Sequence, residues 1–323
     1  GNTKGALLLE PSRTNSFPYS ENISVFSSAS NGTGTNPVIT SNYSVSPDGT
    51  QNADRIQFNR GSGTSSSDTS YVTYGLSLGT IDSTLSIYLK TNDGTTKDVT
   101  LRLGASLFDF DVTVTSNWQR FTLSGNTSVD RVQILLYGNQ NSQTADISCY
   151  GVQLEVGSYA TSYIPTSGSA VTRVADSSSQ TLPSSVFNSY PFSVFTEVDV
   201  IDTSTGYAFS LLKSTSSAEY FTIEYFSNVW HITSRPNGST ERITSTVTVT
   251  EGTHKLVGVW ESSSMKLYLN GSLIASGSNS QSFNSSVDSL LLGQLRISGD
   301  TGSRNSVIQT DLYNTALTDA EAI

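Results

Sequence analysis

Two β-sandwich domains in tandem are the architecture that this sequence predicts, an all-β fold class, and three features carry the expectation. The 323 residues include 15 Tyr and 13 Phe but only 14% charged side chains, and much of the remainder is Ser, Thr, Asn and Gly. Aromatic, β-branched and small polar residues in that balance suit strands and turns rather than helices. Apolar and polar residues also alternate in short segments along the whole chain, the period of a strand with one buried and one wet face. Turn clusters of Asn, Asp, Gly, Ser and Pro separate those segments.

Taken in order, "STLSIYLKTNDGTTKDVTLRLG" places Leu85, Ile87 and Leu89 on one face, turns at Asn92-Asp93-Gly94 and resumes with Val99, Leu101 and Leu103. This spacing predicts an antiparallel hairpin. "FDFDVTVT" sets Phe108, Phe110, Val112 and Val114 against Asp109, Asp111 and Thr113, and "RVQILLYG" and "ADISCYGVQLEVG" continue the pattern. The stretch from Ser158 to Ser185, rich in Ser, Thr, Gly and Pro, breaks it, which puts a boundary near Thr172 and domains at 1–172 and 173–323. Strands resume with "FSVFTEVDVI", "AEYFTIEYF", "VWHITSR", "HKLVGVWES", "SMKLYLNGSLIASG" and "DSLLLGQLRIS". Only "TALTDAEAI" reads as helix, with Thr315 or Thr318 as its N-cap.

Composition excludes several classes of function. A net charge of −10 and a pI near 4.6 argue against a nucleic-acid binder, which needs a positive field along phosphates. Cys149 is the only cysteine, so neither an intrachain disulfide nor a cysteine zinc site can form. His231 and His254 stand far apart in sequence. No apolar run approaches the roughly 18 residues of a membrane span, so no membrane insertion is expected.

Four ordered stretches, "LLLEPSRTN", "SPDGTQNADRI", "NWQRFTLS" and "YGVQLEVGSYATSYIPT", closely resemble the jelly-roll carbohydrate-binding domains of bacteriophage tail and tail-fibre proteins. The resemblance covers about the first 172 residues, and "TRVAD" looks like the linker leaving that domain. The second half is similar to concanavalin-A-like, laminin-G-type domains through "LVGVWESSSMKLYLNGSLIASG" and the closing "IQTDLYNTALTDAEAI". Together these resemblances imply the receptor-recognition region of a phage tail fibre or tailspike, one that binds bacterial surface polysaccharide without cleaving it. The implied setting is a virion, or the extracellular space for a secreted bacterial protein, and the implied full-length molecule is a homo-oligomer, a trimer being one form. A glycoside hydrolase or polysaccharide lyase in the second half, and spacer or assembly domains without ligand, are the alternatives.

A pyranose ring stacks its C–H face on an aromatic ring while its hydroxyls bond to amides, carboxylates and guanidinium groups. In the first domain, Tyr88, Lys90, Arg102, Asp109, Gln133, Tyr137 and Tyr150 fall on faces opposite the apolar residues and make the expected groove lining. In the second, Tyr225, Trp230 and His231 are the candidates, with Arg235 and Asn237 in the turn that follows. Trp118 and Trp260 are expected in cores.

Calcium is the one cofactor the resemblance suggests, a structural ion with Glu10, Glu21 and Glu155 as the available ligands. The Asp frequent in the family's last strand is unmatched, Gly151 standing near its place. Glu197, Asp199 and Asp202 in "TEVDVID" resemble the carboxylate strand of laminarinase-type hydrolases. A retaining mechanism needs two carboxyl groups about 5 to 5.5 Å apart, and only a bulge at Val200 or Ile201 brings Asp202 to the face of Glu197. The contrasting expectation is a half-buried strand at the edge of a sandwich, with Val194, Val198 and Val200 inward and Ser193, Glu197 and Asp199 toward water.

Overall fold

Alternating strands bury one face only when a second layer covers it, and both halves of the chain meet that need. The computed structural model describes residues 7–104, 108–138, 141–176, 178–182, 189–213, 216–283, 287–293 and 305–322. Two compact units divide the chain, Arg13–Arg173 in one and Val174–Ile323 with Gly1–Ser12 in the other. Strand β1 (Leu7–Leu9) pairs with the strand Asn305–Tyr313. This N-terminal segment, expected with the first domain, therefore belongs to the second unit; a three-residue strand is placed by its partner and not by local pattern.

The first unit contains β2 (Arg13–Asn15), β3 (Ser27–Asn31), β4 (Thr35–Ser44), β5 (Ala53–Asn59), β6 (Thr69–Thr91), β7 (Lys97–Leu103), β8 (Phe108–Val114), β9 (Gln119–Tyr137), β10 (Thr144–Val156) and β11 (Val171–Arg173). Their hydrogen-bonded order is β4-β5-β10-β6-β9-β7-β8, with β3 also on β6 and a separate β2-β11 pair. The long strands β6 and β9 pair along most of their length, with an irregularity between Gly75 and Gly79. One core cluster joins Val72 and Ile134 at one end of these strands, with Leu101 of β7, to Leu85 and Ile87 at the other, with Ile56 of β5 and Ile147 of β10. Inward residues from both ends thus meet, so this single sheet folds over on itself into two layers.

That topology corrects the expected hairpin. β6 and β7 turn at Asn92-Asp93-Gly94 but do not pair, because β9 lies between them. Asn92 holds the exit: its N–H donates to the Asp146 carbonyl at 2.9 Å, its side-chain amide donates to Asp146 Oδ1 at 2.9 Å, and Ser148 donates to its Oδ1 at 2.8 Å. The chain leaves beside β10 and enters the other layer.

The second unit is two six-stranded sheets. They are built from β12 (Ser179–Thr181), β13 (Phe192–Val200), β14 (Thr205–Lys213), β15 (Ser216–Phe226), β16 (Val229–Arg235), β17 (Glu241–Thr248), β18 (Gly252–Trp260), β19 (Ser264–Leu269), β20 (Ser272–Ser278), β21 (Ser289–Leu291) and β22 (Asn305–Tyr313). The orders are β1-β22-β13-β18-β19-β20 and β12-β21-β14-β15-β16-β17. Their core holds Phe192, Val194, Val198 and Val200 of β13 against Phe221, Ile223, Tyr225, Trp230 and Trp260, with Phe192 stacked on Trp260 at 4.8 Å. The Asn270-Gly271 hairpin forms as read, both residues at positive φ, 48° and 80°, the geometry a type I′ turn requires.

The terminal helix does not form among the described residues. "TALTDAEAI" makes one turn, closed by the Ala322 N–H on the Thr318 carbonyl at 3.0 Å. Thr318 is still its cap: its N–H and hydroxyl donate to the Glu321 carboxylate at 2.9 and 2.8 Å. Ala316, Leu317 and Ala322 pack on Phe195, Val257, Val259 and Tyr268, the outer face of the first sheet.

Candidate functional site

The register of the first unit brings polar residues of five strands to one outward face. Asn31 of β3 lies opposite Thr69 of β6, Thr69 opposite Tyr137 of β9, Gln133 opposite Arg102 of β7, and Arg102 and Thr100 opposite Asp109 and Asp111 of β8. Alternate residues of β7, Val99, Leu101 and Leu103, go to the core, which fixes Asp98, Thr100 and Arg102 outward.

Over this face lies a groove of about 900 Å³, lined by Asn31, Ser66, Ser67, Thr69, Asp98, Arg102, Asp109, Asp111, Tyr137 and Asn141. Its walls are loops held by buried polar residues. The Asp68 carboxylate accepts from the Thr33 N–H at 2.8 Å and the Ser65 N–H at 3.0 Å, which shapes the loop carrying Ser66 and Ser67. These bonds hold Asp68 below its ordinary pKa. A Cβ on Gly63 would meet Asp68 Oδ2 at 2.0 Å, so a larger residue there would push the carboxylate off these bonds. Arg60 ties the two walls, donating to the Gly63 carbonyl at 2.6 Å and the Ser142 carbonyl at 3.0 Å.

Within the groove, Arg102 donates to both oxygens of Asp109 at 2.5 and 2.9 Å and to Gln133 Oε1 at 3.4 Å. Tyr137 donates its hydroxyl to Asp109, and the guanidinium lies 5.2 Å from the Tyr137 ring centre. Asp98 accepts from Thr113 Oγ1 at 2.8 Å and Asn141 Nδ2 at 3.0 Å. Asp111 accepts from Thr100 Oγ1 at 2.5 Å. The side chains are pre-oriented by these bonds, while Asn31, Ser66, Ser67, Asp109, Asp111 and Asn141 stay exposed.

Of the residues expected to line one groove, Arg102, Asp109, Gln133 and Tyr137 do come together, Gln133 as a buried support beneath the guanidinium. Tyr88, Lys90 and Tyr150 do not join them. Tyr88 pairs with Arg120, at the opposite end of β9 from Tyr137, and so sits in the other layer. Tyr150 is buried there, 6.1 Å from Tyr88 and 5.3 Å from Tyr163, and its hydroxyl donates to Asp48 Oδ2 at 2.9 Å and Glu21 Oε1 at 3.2 Å. Burial and these acidic neighbours push the Tyr150 hydroxyl far above its ordinary pKa, while Asp48, bonded first by Ser46 and Thr50, is held well below its own. Trp118, expected in the core, is half-buried, with Nε1 on the Val45 carbonyl at 3.1 Å and Lys90 Nζ 5.0 Å from its ring.

The second-unit candidates are corrected more sharply. Tyr225 and Trp230 are fully buried at 0% exposure and stack edge-on at 5.1 Å inside the core; no ligand reaches them. His231 lies on the outward face but is 3% exposed, stacked on Phe226 at 3.8 Å and bonded to Thr244 Oγ1 at 3.1 Å. Burial lowers its pKa. Arg235 and Asn237 bond to the Gly238 and Ser282 carbonyls.

"TEVDVID" forms no paired-carboxylate site. β13 runs between β22 and β18 and is not an edge strand. Glu197 and Asp199 are half-buried on its outer face, opposite Lys255 and Thr253. The strand ends at Val200, and Asp202 lies in the following turn, accepting from the Ser204 N–H at 2.9 Å. Asp202 therefore lies off the strand that carries Glu197, and the two carboxylates do not share one regular strand face. Ser193, expected toward water, is covered by the C-terminal turn: it donates to the Thr315 carbonyl and accepts from the Leu317 N–H.

The calcium ligands do not fit as a set. Glu155 is 1% exposed and accepts from the Thr161 N–H at 2.9 Å, the Thr161 hydroxyl at 2.5 Å and Gln153 at 2.7 Å. Glu21 accepts from Tyr150, Tyr163 and Asn52, and Glu10 belongs to the second unit. Among the described residues, no three His, Cys, Asp or Glu side chains gather as a metal site.

No curated protein matches the sequence. Among solved structures, the CBM40 of a Ruminococcus gnavus IT-sialidase is similar at 14% identity, over 41% of this chain and 80% of that one, with a TM-score of 0.36. Domain 4 of AbnA, a GH43 extracellular arabinanase from Geobacillus stearothermophilus, solved with arabinotriose, is 16% identical over 48% of this chain and 71% of that one, TM-score 0.37. The binding domain of botulinum neurotoxin DC is 13% identical over 41% of this chain and 34% of that one, TM-score 0.33. Residues 174–322 match the family model described as the concanavalin A-like lectin/glucanases superfamily, and the second half of the chain is a concanavalin A-like domain.

Proposed function

We propose that this chain is a non-catalytic carbohydrate-binding region whose main site is the groove on β7, β8 and β9. One observation carries the reading: an open cleft of about 900 Å³ lined by hydroxyl, amide, carboxylate and guanidinium groups around Tyr137. Sugar hydroxyls donate to carboxylates and accept from guanidinium and amide N–H groups, and bonds with one ionised partner are the stronger ones. Because Arg102, Asp109 and Tyr137 already hold one another, little side-chain freedom is lost when a ligand enters.

The likeness of the first half to phage jelly-roll modules supports recognition rather than turnover, as does the position of Asp202 in the turn beyond the strand that carries Glu197. The finer reading is recognition of bacterial surface polysaccharide by a tail fibre or tailspike, or by a secreted bacterial counterpart. Single grooves of this kind bind in the mM to µM range, roughly −4 to −8 kcal/mol, so a homo-oligomer such as a trimer gains its hold through multivalency. A glycan array probed with the multimerised chain, with reducing ends assayed on the same polysaccharides, tests this. Binding without product is expected. Silence across bacterial and plant polysaccharides, or sustained product release, contradicts it.

A further inference from the structure

The charges lining the groove say more about its ligand than its shape does. Three carboxylates, Asp98, Asp109 and Asp111, face one guanidinium, Arg102, and that guanidinium is bidentate on Asp109. Asp98 is held by the neutral donors Thr113 and Asn141. Lys97, at the start of β7, is drawn to Asp93 at 3.2 Å. A carboxylated or sulfated sugar laid here meets like charge in a cleft where water screens less than in bulk. An uncharged sugar offers hydroxyl donors to the same oxygens, and each such bond is charge-assisted.

We propose that the groove selects uncharged glycans and rejects acidic ones, with Asp98 and Asp111 as the specificity-determining residues. The inference rests on the reading of this groove as the glycan site. Rejection by like charge is one of the ways in which a binding site discriminates between partners.

The test uses matched polymers that differ only in charge: galactomannan, arabinogalactan and laminarin, each beside its C6-carboxylated derivative, measured by affinity electrophoresis with the full chain at about 20 mM and about 500 mM salt. At least one neutral polymer is expected to bind, its carboxylated form at least ~10-fold more weakly at low salt, the gap shrinking as salt screens it. In the double variant Asp98→Asn, Asp111→Asn the gap should close to within about 3-fold. Should that variant not fold, the salt dependence of the native chain decides alone. Equal or tighter binding of the carboxylated form overturns the selectivity and leaves the groove a glycan site. Binding of carboxylated and neutral forms that is indifferent to Tyr137→Ala, or no binding at all by a folded chain, overturns both.

Discussion

The outward faces of β7–β9 and of β15–β17 follow the same alternation and end in opposite states. On β15–β17, Glu224 accepts from Thr233 at 2.7 Å and from Arg242 at 3.1 Å, Arg242 extends over the Phe226 ring at 4.9 Å, and His231 stacks on that ring. Nothing of Glu224 or His231 remains for a ligand. On β7–β9 an arginine also pairs with a carboxylate, yet Asp68 and Arg60 brace the surrounding loops so that a cleft stands beside the pair. Alternation tells which residues leave the core. Whether they meet a ligand depends on what folds over them.

The largest effect that would break this contrast is at Trp230. Trp230→Ala should cost about 3–5 kcal/mol of unfolding free energy in denaturant titration, while the folded protein keeps its glycan affinity. A stable variant that loses binding would return Trp230 to the ligand. In the groove the pattern reverses. Tyr137→Ala should weaken glycan binding about 10-fold or more and change stability by about 1 kcal/mol or less; an unchanged affinity would empty the groove of its role.

Sequence reading reached the strand pattern, the Asn270-Gly271 hairpin and the outward set Arg102, Asp109, Gln133 and Tyr137, because each is a matter of local period or turn chemistry. It joined Tyr88 and Tyr150 to that set wrongly, since opposite ends of β6 and β9 lie in different layers, and within the 23-residue β6 the one local mark of the change is the Gly75–Gly79 irregularity. Asn31, Ser66, Ser67, Asp98 and Asn141 were missed for a related reason: strand pairing and the Asp68 and Arg60 braces gather them from distant loops. The outward position of Asp98 was readable from Val99 and Leu101.

A smaller effect separates structural carboxylates from metal ligands. Glu155→Ala strands the Thr161 N–H and should cost about 1–3 kcal/mol, whereas chelator should leave the melting temperature of the native chain within about 1 °C; a fall of several degrees would restore a bound ion. The smallest is at His231. Burial lowers the pKa of its ring in the folded chain, while the unfolded chain takes up a proton near pH 6.5. The stability this contributes is complete above that pH and is lost as pH falls from about 6.5 toward the lower folded value. His231→Gln should flatten the decline in melting temperature over that window, and an identical slope would contradict the burial.

Hydroxyl-radical footprinting of the full chain, with and without a bound polysaccharide, reads the site most directly. Protection is expected at Tyr137 and along β7–β9, with Tyr88, Tyr225 and Trp230 unchanged. Protection confined to the second unit or to the layer of Tyr88, with Tyr137 as reactive as before, would place the ligand elsewhere and contradict the account.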